Sequence, residues 1–127
     1  MRMWAVNPRR MCNKHLVAEH YEMHMFAGSM KRKIDLTGYV TNNLLAPRKV
    51  KARHDALAEE MVRRDLNHKS PMDKSPDAEY LPEHIKKAIM LISESEEELY
   101  TRCKQCATIN DEYIKQCSRK GKLEDLI

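Results

Sequence analysis

Cys12, Leu16, Met23, Ala27 and Met30 fall on one side of a helix predicted to run from about Arg9 to Lys33, directly after Asn7-Pro8. An apolar stripe of that length and period sets the fold class, because it must be covered by further helices or sheet. On the same wheel His15, Glu19, Glu22 and Phe26 lie within about 60° of one another, at about 100° per residue. The two acids therefore either border the buried stripe, where Glu22 is partly desolvated, or form a solvated face.

The rest of the chain reads as helix and loop. Residues 34–52 form a loop-rich connection with Gly38, Asn42-Asn43 and Pro47. A second helix is predicted over roughly Arg53 to Leu66, with Leu57, Met61 and Leu66 inward. Residues 67–79 are expected to be a surface loop or linker. Pro82 suits the first turn of a third helix, whose Ile85, Ala88, Ile89 and Ile92 make one apolar stripe. Ser93 with Glu96, and Ser95 with Glu98, read as capping boxes that open a long last helix over about 95–120. The fold expected is all-α: one domain over residues 1–127, with three to four helices and a short N-terminal arm.

Length and charge narrow the function. A chain of 127 residues is near the common domain size and buries a single core. No apolar run is long enough to span a bilayer, and the start lacks the apolar stretch of a signal peptide. A soluble, cytoplasmic monomer, associated with the nucleoid and without membrane contact, is expected. The net charge is +4, and 14 of the 23 Lys and Arg lie in residues 1–72 against 7 of the 19 Asp and Glu. Lys31-Arg32-Lys33, the run Arg48, Lys49, Lys51 and Arg53, and Arg9-Arg10 beside the arm make this half the one expected to meet a polyanion.

Chemistry enters through the chain terminus. A free α-amine has a reference pKa of about 7.7 to 8.0, so roughly a tenth of it is unprotonated and nucleophilic at neutral pH without burial. Met1 should be retained, since Arg2 is too large to permit its removal. Glu22 stands 21 positions away on the first helix, and a carboxyl within reach supplies the general acid.

His15, Leu16, Glu19 and Glu22 spell His-Leu-x-x-Glu-x-x-Glu, and the segment is similar to the pyrimidine-dimer DNA glycosylase family, also called phage endonuclease V. Gly28, Lys31, Arg32, the stretch Arg53 to Asn67 and Tyr80-Leu81-Pro82 also fit. The match is close over residues 1–72, loose to about 100 and weak beyond. It implies a glycosylase with abasic-site lyase activity, acting on double-stranded DNA that carries a damaged or modified pyrimidine. The Met1 amine would attack the sugar C1′ and form a Schiff base, with Glu22 as acid/base. Arg2 corresponds to the family's arginine on the lesion strand, and His15 to its first-helix histidine. Arg10, Lys31, Arg32, Arg48, Lys49 and Lys51 are the further DNA contacts expected. Tyr21 and Met25 stand where the family often has arginines, and its aromatic C-terminal loop is absent. Trp4 either lines the site or staples the arm to the core.

No metal or organic cofactor is required when the amine does the covalent work. Leu99, Cys103, Cys106, Ile109, Tyr113 and Cys117 have helical core spacing, so the cysteines read as buried thiols. The alternative is a zinc half-site at Cys103-x-x-Cys106, completed by His20-x-x-x-His24. The competing class for the whole chain is a non-catalytic helical DNA-binding protein, or a zinc-stabilised interaction protein.

Overall fold

Asn7 caps a 3-10 turn at Pro8–Arg10, accepting from the Arg9 amide, and Cys12 then caps the first long helix, α1 (Asn13–Lys31), with its thiol. Pro8 sits in the first turn, where its missing N–H costs nothing. The chain described is a computed structural model covering the backbone of residues 1–125 and the side chains of residues 1–118. Five more helices follow among these residues: α2 (Thr37–Thr41), α3 (Val50–Arg63), α4 (Glu83–Lys86), α5 (Ile92–Arg102) and α6 (Lys104–Asp125). No strand occurs among the described residues, and none of their helices is long and apolar enough to cross a membrane.

Three helices stop in the same way. Lys33, Asn43 and Asp65 adopt φ of 55°, 59° and 60°, just past α1, α2 and α3. After α1 the amide of Lys33 reaches the Met30 carbonyl at 3.0 Å and that of Ile34 reaches Ser29 at 3.0 Å; the ends of α2 and α3 repeat this pair of bonds. These left-handed caps satisfy the last carbonyls, and each non-glycine residue holding one works against about 1 kcal/mol of steric cost. They explain why α1 and α3 end two and three residues before the ends expected at Lys33 and Leu66.

One cluster of buried side chains runs from Met3, Trp4 and Val6 in the arm through Leu16, Met23 and Phe26 of α1 and Leu57 and Met61 of α3 to Leu99 and Cys106. α1 packs on α3, while α5 and α6 form a hairpin laid against the 3-10 turn at Pro8–Arg10. Between α1 and α3 lies a buried ion pair. Arg53 donates from Nε and Nη2 to the two oxygens of Glu19 at 2.5 and 2.8 Å, and from Nη1 to the Val6 carbonyl at 2.6 Å. Glu19 is therefore no solvated face: it is fully buried and ties α1, α3 and the arm together.

The C-terminal half departs from expectation. The third helix is the four-residue α4; Ile89 and Ile92 are 75% and 50% exposed, so no continuous apolar stripe is buried there. The long last helix is broken at Cys103, whose backbone is extended (φ −119°, ψ 110°). Its thiol accepts from the Cys106 amide and so opens α6 as Cys12 opens α1. Cys117, expected in the core, is exposed. Neither predicted capping box forms: α5 starts at Ile92 with no side-chain cap, and Ser95 is buried, donating to the Trp4 carbonyl at 2.5 Å. α2 is a helix inside what the sequence presents as loop.

Removing one partner of a buried ion pair leaves the other uncompensated. Glu19→Gln is therefore expected to destabilise the fold by about 3 to 5 kcal/mol in urea unfolding, and a loss below about 1 kcal/mol would remove the pair from its central place.

Glu60 of α3 is a second buried carboxylate, held by Arg63 and Arg64 at 2.5 to 2.7 Å. Burial pushes its carboxyl up, but the hydrogen bonds from Arg63 and Arg64 outweigh that and hold it below the ordinary 4.5. Its contribution is thus fully present above about pH 4.5 and lost as pH falls through the lowered value. Glu60→Gln should lower the urea midpoint at pH 7 and flatten its acid limb below pH 4.5; an unchanged slope there would refute the linkage.

Candidate active site

The N-terminal arm is pinned along its length. The Met3 amide donates to the Leu44 carbonyl at 2.7 Å, Ser95 to the Trp4 carbonyl, and Arg53 to the Val6 carbonyl. Ala5 takes a left-handed φ of 59°, which turns the arm between these anchors. With the arm fixed, the Met1 α-amine lies 3.9 Å from Glu22 Oε1, and the Arg2 amide donates to Glu22 Oε2 at 3.2 Å. Glu22 is half-buried and the Met1 residue is exposed, so the pair faces solvent. Tyr21 and Met25, on the positions flanking Glu22, are both exposed. The arrangement joins a primary amine and an adjacent carboxylate at a partly exposed position, a pair able to take part in imine chemistry.

Arg2 and Arg10, both expected on DNA, are engaged within the protein. The Arg2 guanidinium is buried; it donates to Glu98 at 2.6 Å and to Ser95 Oγ at 2.9 Å, and lies 3.6 Å over the Trp4 ring. That stack makes Trp4 a staple of the arm, buried beneath Arg2. Arg10 is half-buried, with Nη1 at 3.6 Å from Glu96 and its guanidinium over Tyr113. The other basic candidates are at the surface. Lys31 and Arg32 are exposed at the end of α1, nine and ten residues past Glu22, roughly 14 Å along the axis. Arg48 and Lys49 are exposed and Lys51 half-buried at the start of α3; Arg48 pairs with Glu79 at 3.3 Å and Lys51 with Asp55 at 2.7 Å.

His15 faces away from an open site, into a group of cysteines. Its Nδ1 lies 3.2 Å from Cys12 Sγ and 3.7 Å from Cys106 Sγ, and Cys12 Sγ lies 3.9 Å from Cys103 Sγ. The sulfurs are too far apart for a disulfide, and all four cysteines are free. Burial, with the charge of Lys14, lowers the His15 imidazole below its usual value, and burial pushes the Cys106 thiol up to about 12. The pairing of Cys103-Cys106 with His20-His24 is therefore not what forms: Cys12 and His15 take that place.

His20 and His24 join His54 and His68 instead. His20 Nε2 and His54 Nε2 are 3.1 Å apart, and His24, His54 and His68 each place Nε2 within 3.0 to 3.1 Å of the Ser70 carbonyl oxygen. Burial, then the neighbouring imidazoles, lowers His20 to about 4. Sequence reading overlooked Cys12, His54 and His68. Cys12-x-x-His15 was a visible signal, hidden by counting Cys12 in the apolar stripe; nothing local marks His54 or His68.

The family model described as pyrimidine dimer DNA glycosylase matches residues 1–74. It covers the arm, α1, α2 and α3, and so both members of the amine and carboxylate pair. The chain belongs to the pyrimidine dimer DNA glycosylase family, a class of DNA repair enzyme. No curated protein and no solved structure matches it.

Proposed function

We propose that this protein is a DNA glycosylase with abasic-site lyase activity on a damaged or modified pyrimidine nucleotide in duplex DNA. The observation that carries this reading is the 3.9 Å approach of the Met1 amine to Glu22 within the family-matched segment. The unprotonated amine attacks C1′ of the flipped nucleotide, forming a C–N bond as the glycosidic bond breaks and its electron pair leaves with the base. Glu22 delivers a proton to the ring oxygen O4′ as the sugar opens to the imine. As carboxylate it then removes a C2′ proton, and the electrons pass through the C2′–C3′ bond to expel the 3′ phosphate. Water finally hydrolyses the imine and returns the amine.

The Arg2 amide bond to Glu22 Oε2 orients the carboxylate, leaving Oε1 toward the amine. His15 is given no proton-transfer role, since its Nδ1 is committed to the cysteine group. Lys31, Arg32, Arg48, Lys49 and Lys51 are the phosphate contacts proposed. They position the duplex without reading its sequence. Tyr21 and Met25, exposed beside Glu22, provide apolar surface where an unstacked base would rest.

Borohydride trapping on a duplex with one abasic site tests the covalent step. Untagged protein should be trapped through Met1, identified by mass spectrometry, and a Gly-Ser extension before Met1 should abolish trapping. Glu22→Gln should cut strand-cleavage turnover by about 10²-fold or more while leaving duplex affinity within a few fold. Trapping that survives the extension, or equal turnover in Glu22→Gln, overturns the assignment. Absence of cleavage and trapping in the native protein would favour the non-catalytic DNA-binding reading.

A further inference from the structure

We infer that Cys12, His15, Cys103 and Cys106 form a structural zinc site that locks the C-terminal helical hairpin onto the first helix. Their four donor atoms all lie within 4.8 Å of one another. Donors around a tetrahedral zinc, at about 2.3 Å for sulfur and 2.0 Å for nitrogen, sit about 3.5 to 3.8 Å apart. Three of the six separations here are 3.2, 3.7 and 3.9 Å, and the other three are within 4.8 Å. Two short half-sites, Cys-x-x-His and Cys-x-x-Cys, supply them from chain segments nearly ninety residues apart.

A backbone amide points at each of the three sulfurs. Cys12 accepts from the His15 amide, Cys103 from the Cys106 amide, and Cys106 from the Cys12 amide at 3.2 Å. Cys12 and Cys103 cap α1 and α6, so the positive ends of two helix dipoles meet at the sulfurs. Three thiolates and one imidazole with no further donor make a closed set, suited to a structural ion rather than a catalytic one.

Untagged protein, purified without metal-affinity resin, should contain zinc at this site, lost in Cys103→Ser with Cys106→Ser and kept in Cys117→Ser. If the double variant fails to fold, the native protein still decides. After chelation, three further thiols should become reactive beside exposed Cys117, and added cobalt should restore protection with a sulfur-to-cobalt charge-transfer band. Native protein in which neither zinc nor cobalt changes thiol reactivity or absorbance overturns the site.

The histidine group independently carries a second site. His54 Nδ1 lies 2.8 Å from Asp55 Oδ1. A neutral His54 that donates there must turn its Nε2 lone pair to the Ser70 carbonyl oxygen at 3.0 Å, setting acceptor against acceptor. A cation bound by both removes that conflict, and the carboxylate behind the imidazole is the usual support of a metal-bound histidine. The geometry points to a first-row divalent transition cation held by His20, His54 and His68, whose ligand atoms all lie within 4.8 Å of one another, together with this carbonyl. Ligands about 2.1 Å from such an ion lie roughly 3.0 Å apart at right angles and 3.4 Å apart in a tetrahedron. The spacing of 3.0 to 3.1 Å between His20 and His54, and from His54 and His68 to the carbonyl oxygen, matches the former, a geometry in which water completes the ligand set.

Metal analysis should find a second ion that survives Cys103→Ser with Cys106→Ser and is lost in His20→Asn with His54→Asn. Asp55→Asn should weaken its binding by about 10- to 100-fold. The histidine variant must keep the cobalt–sulfur band, which shows that it has folded. If it does not fold, titration of chelated native protein with nickel or cobalt decides instead. Saturation at a single ion, bound with the sulfur band, overturns the histidine site.

Discussion

The Glu19 and Arg53 pair is the joint on which the molecule turns. A carboxylate and a guanidinium buried together are tolerable only when good hydrogen bonds offset their lost hydration. Here two N–H groups of Arg53 fill the carboxylate and a third takes the Val6 carbonyl. One side chain of α3 thereby sets the spacing of α1 and the course of the arm. Arg53 supplies a fixed fork that a lysine cannot, so its role depends on geometry as much as on charge.

The position of the first residue follows from that joint. A chain terminus is ordinarily the most mobile part of a fold. In this protein four of the five residues after Met1 are held by carbonyl and amide bonds to Leu44, Ser95, Arg53 and Glu22, and Arg2 is stacked on Trp4. The α-amine is thus brought to within 3.9 Å of Glu22. In the proposed reaction, a bimolecular encounter between amine, acid and sugar becomes a local one once the nucleotide is seated, and that proximity lowers the barrier.

Periodicity made α1, α3 and the all-helical class legible, because their buried faces repeat every three to four residues. The nearness of Met1 and Glu22 was legible through the family pattern alone, since no local rule brings a terminus to a helix face. What escaped was set by tertiary context. Cys103 falls on helical spacing with Leu99 and Cys106, but its extended backbone breaks the helix so that the thiol can cap α6. Ser95 looks like a cap and instead serves as a buried bridge between Arg2 and Trp4. Arg2 looks like a DNA contact because the family resemblance places there an arginine that contacts the lesion strand, while its long side chain turns inward to Glu98. Histidines at positions 20, 54 and 68 converge from three segments with no shared spacing.

The helices after residue 74 lie outside the family match, but they reach the same site. Ser95 and Glu98 of α5 hold Arg2, whose amide orients Glu22. Cys103 and Cys106 meet Cys12 and His15 at the start of α1, seven residues before that carboxylate. A helix of this length is stiff over two turns, so fixing its N-terminus fixes the direction in which Glu22 points. The C-terminal hairpin therefore helps to orient Glu22, the acid of the proposed reaction. Its cysteines are placed at the one end of α1 where restraint is transmitted to the amine and carboxylate pair.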